Sequence, residues 1–251
     1  MTAPPKSVLV TGSSRGIGAA TACLAAARGY DVCINYSRDA AAAEAVVQTC
    51  RQYGVRAMAI QADIADETQV VRMFELADEA FGPLGHLVNN AGILGTACRL
   101  EAAEGSMIGR VMAVNVVGAM LCAREAVRRM SVRRSGLGGS IVNVSSIAAT
   151  LGSPGEYVHY AASKAALDTF TVGLAKEVGP EGIRVNSVQA GTVATTIHEA
   201  SGNPDRPAMV AATAPLRKVG EPANIAEAVL WLMSDAASYA TGAVLRVGGG
   251  L

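Results

Sequence analysis

The sequence predicts an α/β protein built on a parallel sheet with helices on both faces. Two observations carry that expectation. Short apolar, β-branched runs alternate with helical stretches along the whole chain. The first of these runs ends in a glycine-rich turn that passes directly into an alanine-rich helical stretch. A chain of 251 residues, 51% apolar and 17% charged, allows one large core, so a single domain over residues 1–251 is expected and a disordered chain is excluded.

Ser7 to Val10 is the first strand, and it ends in Thr11-Gly12-Ser13-Ser14-Arg15-Gly16-Ile17-Gly18 before a helix to about Arg28. Gly12 permits a tight turn, Gly16 lets backbone approach a pyrophosphate, and Gly18 allows close helix–strand packing. The helix start offers free N–H groups and the positive end of its dipole. No Lys-Ser/Thr follows the glycines, which excludes a Walker loop.

Asp31 to Tyr36 is the second strand, whose end faces the adenosine ribose in dinucleotide-binding folds. It ends Asn35-Tyr36-Ser37-Arg38, with no carboxylate until Asp39 to hold a 2′-hydroxyl. Arg15 and Arg38 are two guanidiniums suited to a 2′-phosphate, so NADP(H) is favoured, with NAD(H) the alternative. Helices over Ala40–Tyr53 and Glu67–Phe81 and strands over Ala57–Gln61 and His86–Val88 follow. The third strand runs into Asp63 and Ile64, with Asp63 an acceptor for the adenine amino group. The fourth runs into Asn89-Asn90-Ala91-Gly92, where side-chain amides stabilise a crowded turn beside a cofactor; a surface turn explains the same residues equally well.

Ile108 to Met130 reads as one long helix that carries Asn115 among apolar neighbours. A buried Asn needs partners and bonds backbone, distorting the helix locally. Arg128, Arg129, Arg133 and Arg134 complement the dipole at its end, with docking of an acidic carrier protein as the alternative. After the loop Gly136–Gly139, a fifth strand from Ser140 to Val144 delivers Ser145 and Ser146 to the cleft where parallel sheets bind ligands. The next helix carries Tyr160 and Lys164 on one face. A cation there favours the phenolate of a tyrosine that otherwise titrates near ~10. Taken alone, the pair fits a solvent-facing helix as well. Arg184–Gln189 is a sixth strand, followed by Ala190-Gly191 and a lid over about 192–218 containing Pro204, Pro207 and Pro215. Pro222–Met233 is the last helix and Val244–Val247 the last strand.

Equal numbers of basic and acidic residues, 21 each, leave no overall field to draw the chain to nucleic acid or an anionic membrane. Cys23, Cys33, Cys50, Cys98 and Cys122 have neither zinc nor disulfide spacing and read as reduced thiols. His86, His159 and His198 are scattered, so no metal is expected. The start Met1–Lys6 lacks the core of a signal peptide, and no apolar run reaches the ~18 residues of a membrane span. A soluble, cytoplasmic protein is expected.

Thr11-Gly12-x-x-x-Gly16-x-Gly18, Asn89-Asn90-Ala91-Gly92, Asn115, Ser146, Tyr160-x-x-x-Lys164 and Asn186 stand in the order and spacing of the short-chain dehydrogenase/reductase family. The chain most resembles the branch with 3-oxoacyl-carrier-protein reductases and bacterial glucose dehydrogenases. The resemblance implies a Rossmann-type, doubly wound, seven-stranded parallel sheet and a homotetramer. It implies that Tyr160 is the general acid and base, that Lys164 lowers its pKa and binds the nicotinamide ribose, that Ser146 holds the substrate oxygen, and that Asn115 holds a water. Gly12, Ser14, Arg15, Gly16, Ile17, Gly18, Ser37, Arg38, Asp63, Ile64, Asn90, Ala91, Gly92, Gly191, Val193 and Thr195 match cofactor positions. Two departures stand out. Ala190-Gly191 replaces the family's Pro-Gly, which leaves that loop less fixed, and Val247–Leu251 lacks the Asp common before the glycine pair.

The expected function is NADP(H)-dependent hydride transfer between the nicotinamide and a small carbonyl or secondary-alcohol substrate. The alternatives are a catalytically idle dinucleotide-binding sensor or scaffold and an NAD-dependent polyol or sugar dehydrogenase. A methyltransferase explains neither Arg15 nor the Tyr–Lys pair. Finally, Ile108–Met130 and Tyr160–Val178 are apolar in too many directions to face one sheet, so assembly through these helices is expected.

Overall fold

Apolar runs such as Ser7–Val10 and Val32–Ile34 are buried on both faces, as strands inside a covered parallel sheet must be, and seven strands form one such sheet. The computed structural model describes residues 5–195 and 206–251. Residues 1–4 and the 196–205 part of the expected lid, with His198 and Pro204, lie outside the described residues. In chain order the elements are β1 (Ser7–Val10), α1 (Gly16–Ala27), β2 (Asp31–Tyr36), α2 (Ala40–Arg51), β3 (Ala57–Gln61), α3 (Glu67–Phe81) and β4 (His86–Asn89). Then come α4 (Gly105–Met112), a π-helical segment (Ala113–Gly118), α5 (Ala119–Met130), β5 (Gly139–Ser146), α6 (Ala148–Leu151), α7 (Val158–Val178) and β6 (Ile183–Ala190). The chain closes with α8 (Arg206–Thr213), α9 (Pro222–Met233) and β7 (Val244–Val247).

The sheet order is β3-β2-β1-β4-β5-β6-β7, a Rossmann arrangement whose direction of winding reverses between β1 and β4. Period-two geometry sends alternate residues to opposite faces. Val8 and Val10 enter one core with Val32, Ile34 and Val88, under α1, α2 and α9. Leu9 enters the other with Cys33 and Leu87, under α3, α5 and α7. Each fully buried large side chain, such as Leu9, Phe74 or Ile141, contributes about 1.5–3 kcal/mol.

Three of the described α-helices start at a side-chain cap. Asp39 caps α2 by accepting from Ala42 N at 2.9 Å, and Asp66 caps α3 by accepting from Gln69 N at 3.2 Å. Pro222 opens α9 behind a reciprocal Glu221–Asn224 cap. α1 differs: its N-cap residue, Arg15, makes no side-chain cap, and its first turn carries no acid.

Several expectations need correction. The single helix over Ile108–Met130 is two α-helices joined through a π-helical segment, starting at Gly105. Gly105–Met130 is also long and apolar enough by composition to cross a membrane, contrary to the reading that no run qualifies. It lies on the sheet instead, with Val111, Val114, Cys122, Ala126 and Met130 buried. In the basic run near its end, Arg128, Arg129 and Arg133 form ion pairs as well as lying near the dipole. Glu125, whose side chain is only 4% exposed, takes Arg124, Arg128 and Arg129, while Arg129 also reaches Asp78 at 2.6 Å. β5 and β6 are longer than expected, because Gly139 pairs with Ile183 and Ser146 with Ala190. That pairing takes Ala190 into the sheet, with Val247 on its other side, so the missing proline does not loosen this residue.

A Cβ at position 18 would sit 2.5 Å from Asn90 Nδ2 and 2.6 Å from Gly12 O, whereas one at exposed position 109 would meet nothing within 4 Å. Gly18→Ala is therefore expected to destabilise by about 1–3 kcal/mol. Gly109→Ala, inside α4, should stabilise by up to about 1 kcal/mol. Urea denaturation of both variants checks the opposite signs.

Candidate active site

The carboxyl ends of β1, β4, β5 and β6 converge beside the winding reversal, where open parallel sheets form a crevice. The glycine loop after β1 is held there by neighbours distant in sequence. Gly12 takes φ +60° and Gly16 φ +56°, conformations that suit glycine. Gly12 N donates to Asn35 Oδ1 at 3.0 Å, and buried Asn35 in turn donates to Ala62 O at 3.1 Å. Thr11 Oγ1 accepts from both Asn90 N and Ala91 N at 3.0 Å, and Asn90 Nδ2 donates back to Thr11 O and Gly12 O. These bonds stitch the ends of β1 and β4 together. Thr11 and Asn35 were not assigned these roles from sequence; a lone Asn inside a β-branched strand was the available signal for the second.

Ser14, Arg15, Gly16, Ile17 and Gly18 form the turn and the start of α1, whose uncapped N–H groups face the crevice end of the sheet. Ser37 and Arg38 follow β2 and are exposed, as is Arg15. Asp63 is more committed than expected. Its Oδ2 accepts from Arg110 Nη2 at 2.6 Å and its Oδ1 from Ala65 N at 3.0 Å, which leaves remaining lone pairs for any further donor. Ile64 turns its side chain into the core. Gly92 lies between two site residues: a Cβ there would be 3.3 Å from both Asn115 Oδ1 and Lys164 Nζ. On the far side, Gly191 crosses Gly248 so closely that a Cβ would lie 2.6 Å from its Cα. Val193 is buried and bridges Gly220, and Thr195 approaches Gly16 across the crevice.

The π-helical segment places Asn115 toward the loop after β4. Its Oδ1 accepts from Ile93 N at 2.8 Å, and its Nδ2 donates to Ile93 O at 2.9 Å and Ser163 Oγ at 3.0 Å. Ser163, which sequence reasoning passed over, also donates to Tyr160 O at 2.7 Å. Ser145 donates to Lys164 O at 3.2 Å, a structural bond to α7. Ser146 is instead half-buried at the crevice, where its hydroxyl accepts from Ala148 N at 3.2 Å and lies near enough to Tyr160 to favour its phenolate. Lys164 is buried, donates to Val144 O at 2.8 Å, and sits 5.7 Å from the centre of the Tyr160 ring. Asn186 serves the fold, fastening the turn before β7 through Ala240 O and Ala243 N. His86 bonds Ser140 at the opposite edge of the sheet, and His159 contacts Leu94 O at 2.9 Å.

The electrostatics correct one expectation. Tyr160 keeps some surface open to the crevice, yet burial pushes its pKa up to about 12, and the Ser146 hydrogen bond offsets this only in part. Burial pushes Lys164 the other way, down to about 8, with Asp168 opposing. Lys164 therefore loses its proton before the phenol can ionise. In the protein by itself it does not lower the tyrosine below its ordinary value.

The chain is similar to known oxidoreductases along its length. A family model described as enoyl-(acyl carrier protein) reductase matches residues 12–251. The uncharacterized oxidoreductase YgfF of Escherichia coli (strain K12) is 51% identical over 96% of this chain and 98% of its own length. The 3-oxoacyl-[acyl-carrier-protein] reductase FabG of Staphylococcus aureus is 37% identical, with 98% of each chain covered. The crystal structure of a short chain dehydrogenase from Burkholderia cenocepacia J2315 in complex with NADP superposes with a TM-score of 0.88 at 37% identity, covering 99% of each chain. With its glycine loop, uncapped helix and Ser–Tyr–Lys cluster at one sheet edge, the chain belongs to the short-chain dehydrogenase/reductase family of oxidoreductases.

Proposed function

We propose that this protein is an NADP(H)-dependent oxidoreductase that interconverts a carbonyl and a secondary alcohol, with Tyr160 as general acid and base. The observation that carries the reading is the convergence of Ser146, Tyr160 and Lys164 at the sheet edge where α1 presents its uncapped N-terminus. The cofactor fits what is present. Free N–H groups at the start of α1 suit a pyrophosphate, the Gly12 and Gly16 conformations let backbone approach it, and Arg15 and Arg38 would hold a 2′-phosphate. The NADP bound by the Burkholderia neighbour and the reductase activity named for the Staphylococcus relative support the same reading.

The bound nicotinamide supplies the hydride or takes it back. The residues of this chain handle the charge and the proton. As negative charge grows on the substrate oxygen, Ser146 Oγ and Tyr160 Oη are the donors that meet it, and Tyr160 gives up its proton. A phenol that titrates near 12 stays protonated across neutral pH, which suits the protein to reduction. Lys164, cationic below about 8, then stabilises the phenolate left behind. The reverse reaction begins from that phenolate and so is favoured by higher pH.

Self-association belongs to the same reading. Val117, Met120 and Val172 are exposed on α5, its preceding π-helical segment and α7, beside a groove lined by Val127, Phe170 and Leu174. Two copies meeting through this face would cover it, in keeping with the homotetramer implied by the family resemblance. Phe170 packs inward against the core, so Val172 is the outward position of the two.

Tyr160→Phe should retain NADPH binding while kcat falls by about 10²–10⁴-fold. Stopped-flow assays with a panel of diketones, β-ketoacyl thioesters, quinones and sugars check this, and near-normal turnover would remove Tyr160 from the chemistry. Replacing Arg15 and Arg38 together by Ala should weaken NADPH by about 1.5–3 kcal/mol per lost contact and NADH much less. Equal losses in fluorescence titrations with the two cofactors would show that neither residue reads the phosphate. Val172→Arg should reduce the sedimentation coefficient and activity together, whereas a fully active wild-type monomer at micromolar concentration would contradict assembly through this face.

A further inference from the structure

We propose that Asp168 is a positioning residue for this reaction: a carboxylate braced from the sheet that holds Lys164 in its cationic form. The inference rests on the role given to Lys164 above, but it concerns a group that touches neither substrate nor cofactor. α7 places Asp168 one turn beyond Lys164 and on the same face, with roughly 5–6 Å between their Cβ atoms. The carboxylate is immobilised from β6. Ser187 Oγ donates to its Oδ1 at 2.7 Å and Gln189 Nε2 to its Oδ2 at 2.8 Å. Gln189 Oε1 in turn accepts from Arg246 Nε on β7 at 3.3 Å, and Arg246 Nη2 is tied to Thr150 Oγ1 at 2.7 Å. A file of hydrogen bonds therefore runs from the edge strand to the turn of helix beneath the lysine.

The chemistry of those partners matters. Ser187 and Gln189 are neutral donors, so they fix and solvate the carboxylate without cancelling its charge. Its field remains available to Lys164. The lysine needs it, because its ammonium has left water for a site whose bonded partner is the Val144 carbonyl. Loss of water pulls its pKa to about 8 and Asp168 opposes that fall. The other groups around it offer little charge. Among the described residues, β5 contributes the Val144 carbonyl and Ser145, the π-helical segment Asn115, the β4 loop Gly92, and β6 Ser187 and Gln189. On α7 itself Tyr160 is neutral below about 12, and His159 is turned to Leu94 O. Arg246 is directed to Gln189 and Thr150.

The sign follows. Removing the negative charge lowers the pKa of Lys164, so the lysine loses its proton at lower pH and the alkaline limb of carbonyl reduction moves down with it. The test follows Lys164 directly, without a substrate. In the full-length protein labelled with ¹³C at lysine Cε, its resonance is assigned by its loss in Lys164→Met and titrated from pH 6 to 11. Asp168→Asn should move the midpoint down by about one pH unit. Asp168→Glu should restore most of the shift, and Ser187→Ala, which keeps the charge, should move it less than Asp168→Asn. Asp168→Ser carries the same test if the asparagine variant does not fold. A midpoint unchanged in the Asn or Ser variant overturns the proposal, even if Tyr160→Phe is inactive. Conversely, a shifted midpoint with a fully active Tyr160→Phe overturns the catalytic reading and leaves the electrostatic coupling standing.

Discussion

One side-chain amide sets the relative positions of the elements that make the crevice. Asn115 is buried in an apolar helical stretch, and a buried amide left without partners costs several kcal/mol. Its own helix offers none of the right geometry, because the backbone groups there already bond to one another. The π-helical segment turns Asn115 outward from that ladder, and the amide spends its bonds on Ile93 and Ser163. The loop after β4 and the helix bearing Tyr160 and Lys164 are thereby fixed to a common point. Gly92 is the corollary: a Cβ there would press at 3.3 Å on both Asn115 Oδ1 and Lys164 Nζ, so these groups would have to give by a few tenths of an ångström.

Burial then decides the protonation states of these fixed groups. A phenol and an amine taken out of water both shift toward their neutral forms, which raises the tyrosine and lowers the lysine. Proximity alone would have drawn the two values in the opposite sense. The outcome is an acid that keeps its proton and a cation held near its titration point, so small electrostatic changes near Lys164 have large effects on its charge. Ser146 acts differently, through a hydrogen bond that partly offsets the burial of Tyr160.

The strands and most helices were legible because their signals are local. β2 and β3 are short runs bounded by turn residues, and α2 and α3 begin at Asp39 and Asp66, whose side chains close their first turns. The Tyr–Lys spacing and the glycine loop were legible for the same reason. What escaped was non-local. Thr11 meets Asn90 across 79 positions, Asn115 meets Ser163 across 48, and no periodicity in either segment announces its partner. A local distortion at Asn115 was expected from its burial, but its π-helical form was not, because insertion of one residue into a helical turn leaves the apolar pattern nearly intact. The rise of Tyr160 was missed because depth, unlike spacing, is a property of the assembled core.

α7 joins these local and long-range constraints. Its inner side carries Lys164, Leu167, Thr171 and Ala175 against β5 and β6, and its start presents Tyr160 to the crevice. Its outer side includes exposed Val172, while Phe170 lies between, packed against the second core. A helix engaged on both sides cannot rotate to suit one without disturbing the other, because a turn of the helix large enough to bury Val172 would carry Lys164 away from the Val144 carbonyl. Apolar residues on the outer face are therefore left to be covered, if at all, by something other than this chain's own sheet. In a self-associated form, a second copy would supply that cover and restrain the axial rotation of the helix that carries Tyr160 and Lys164.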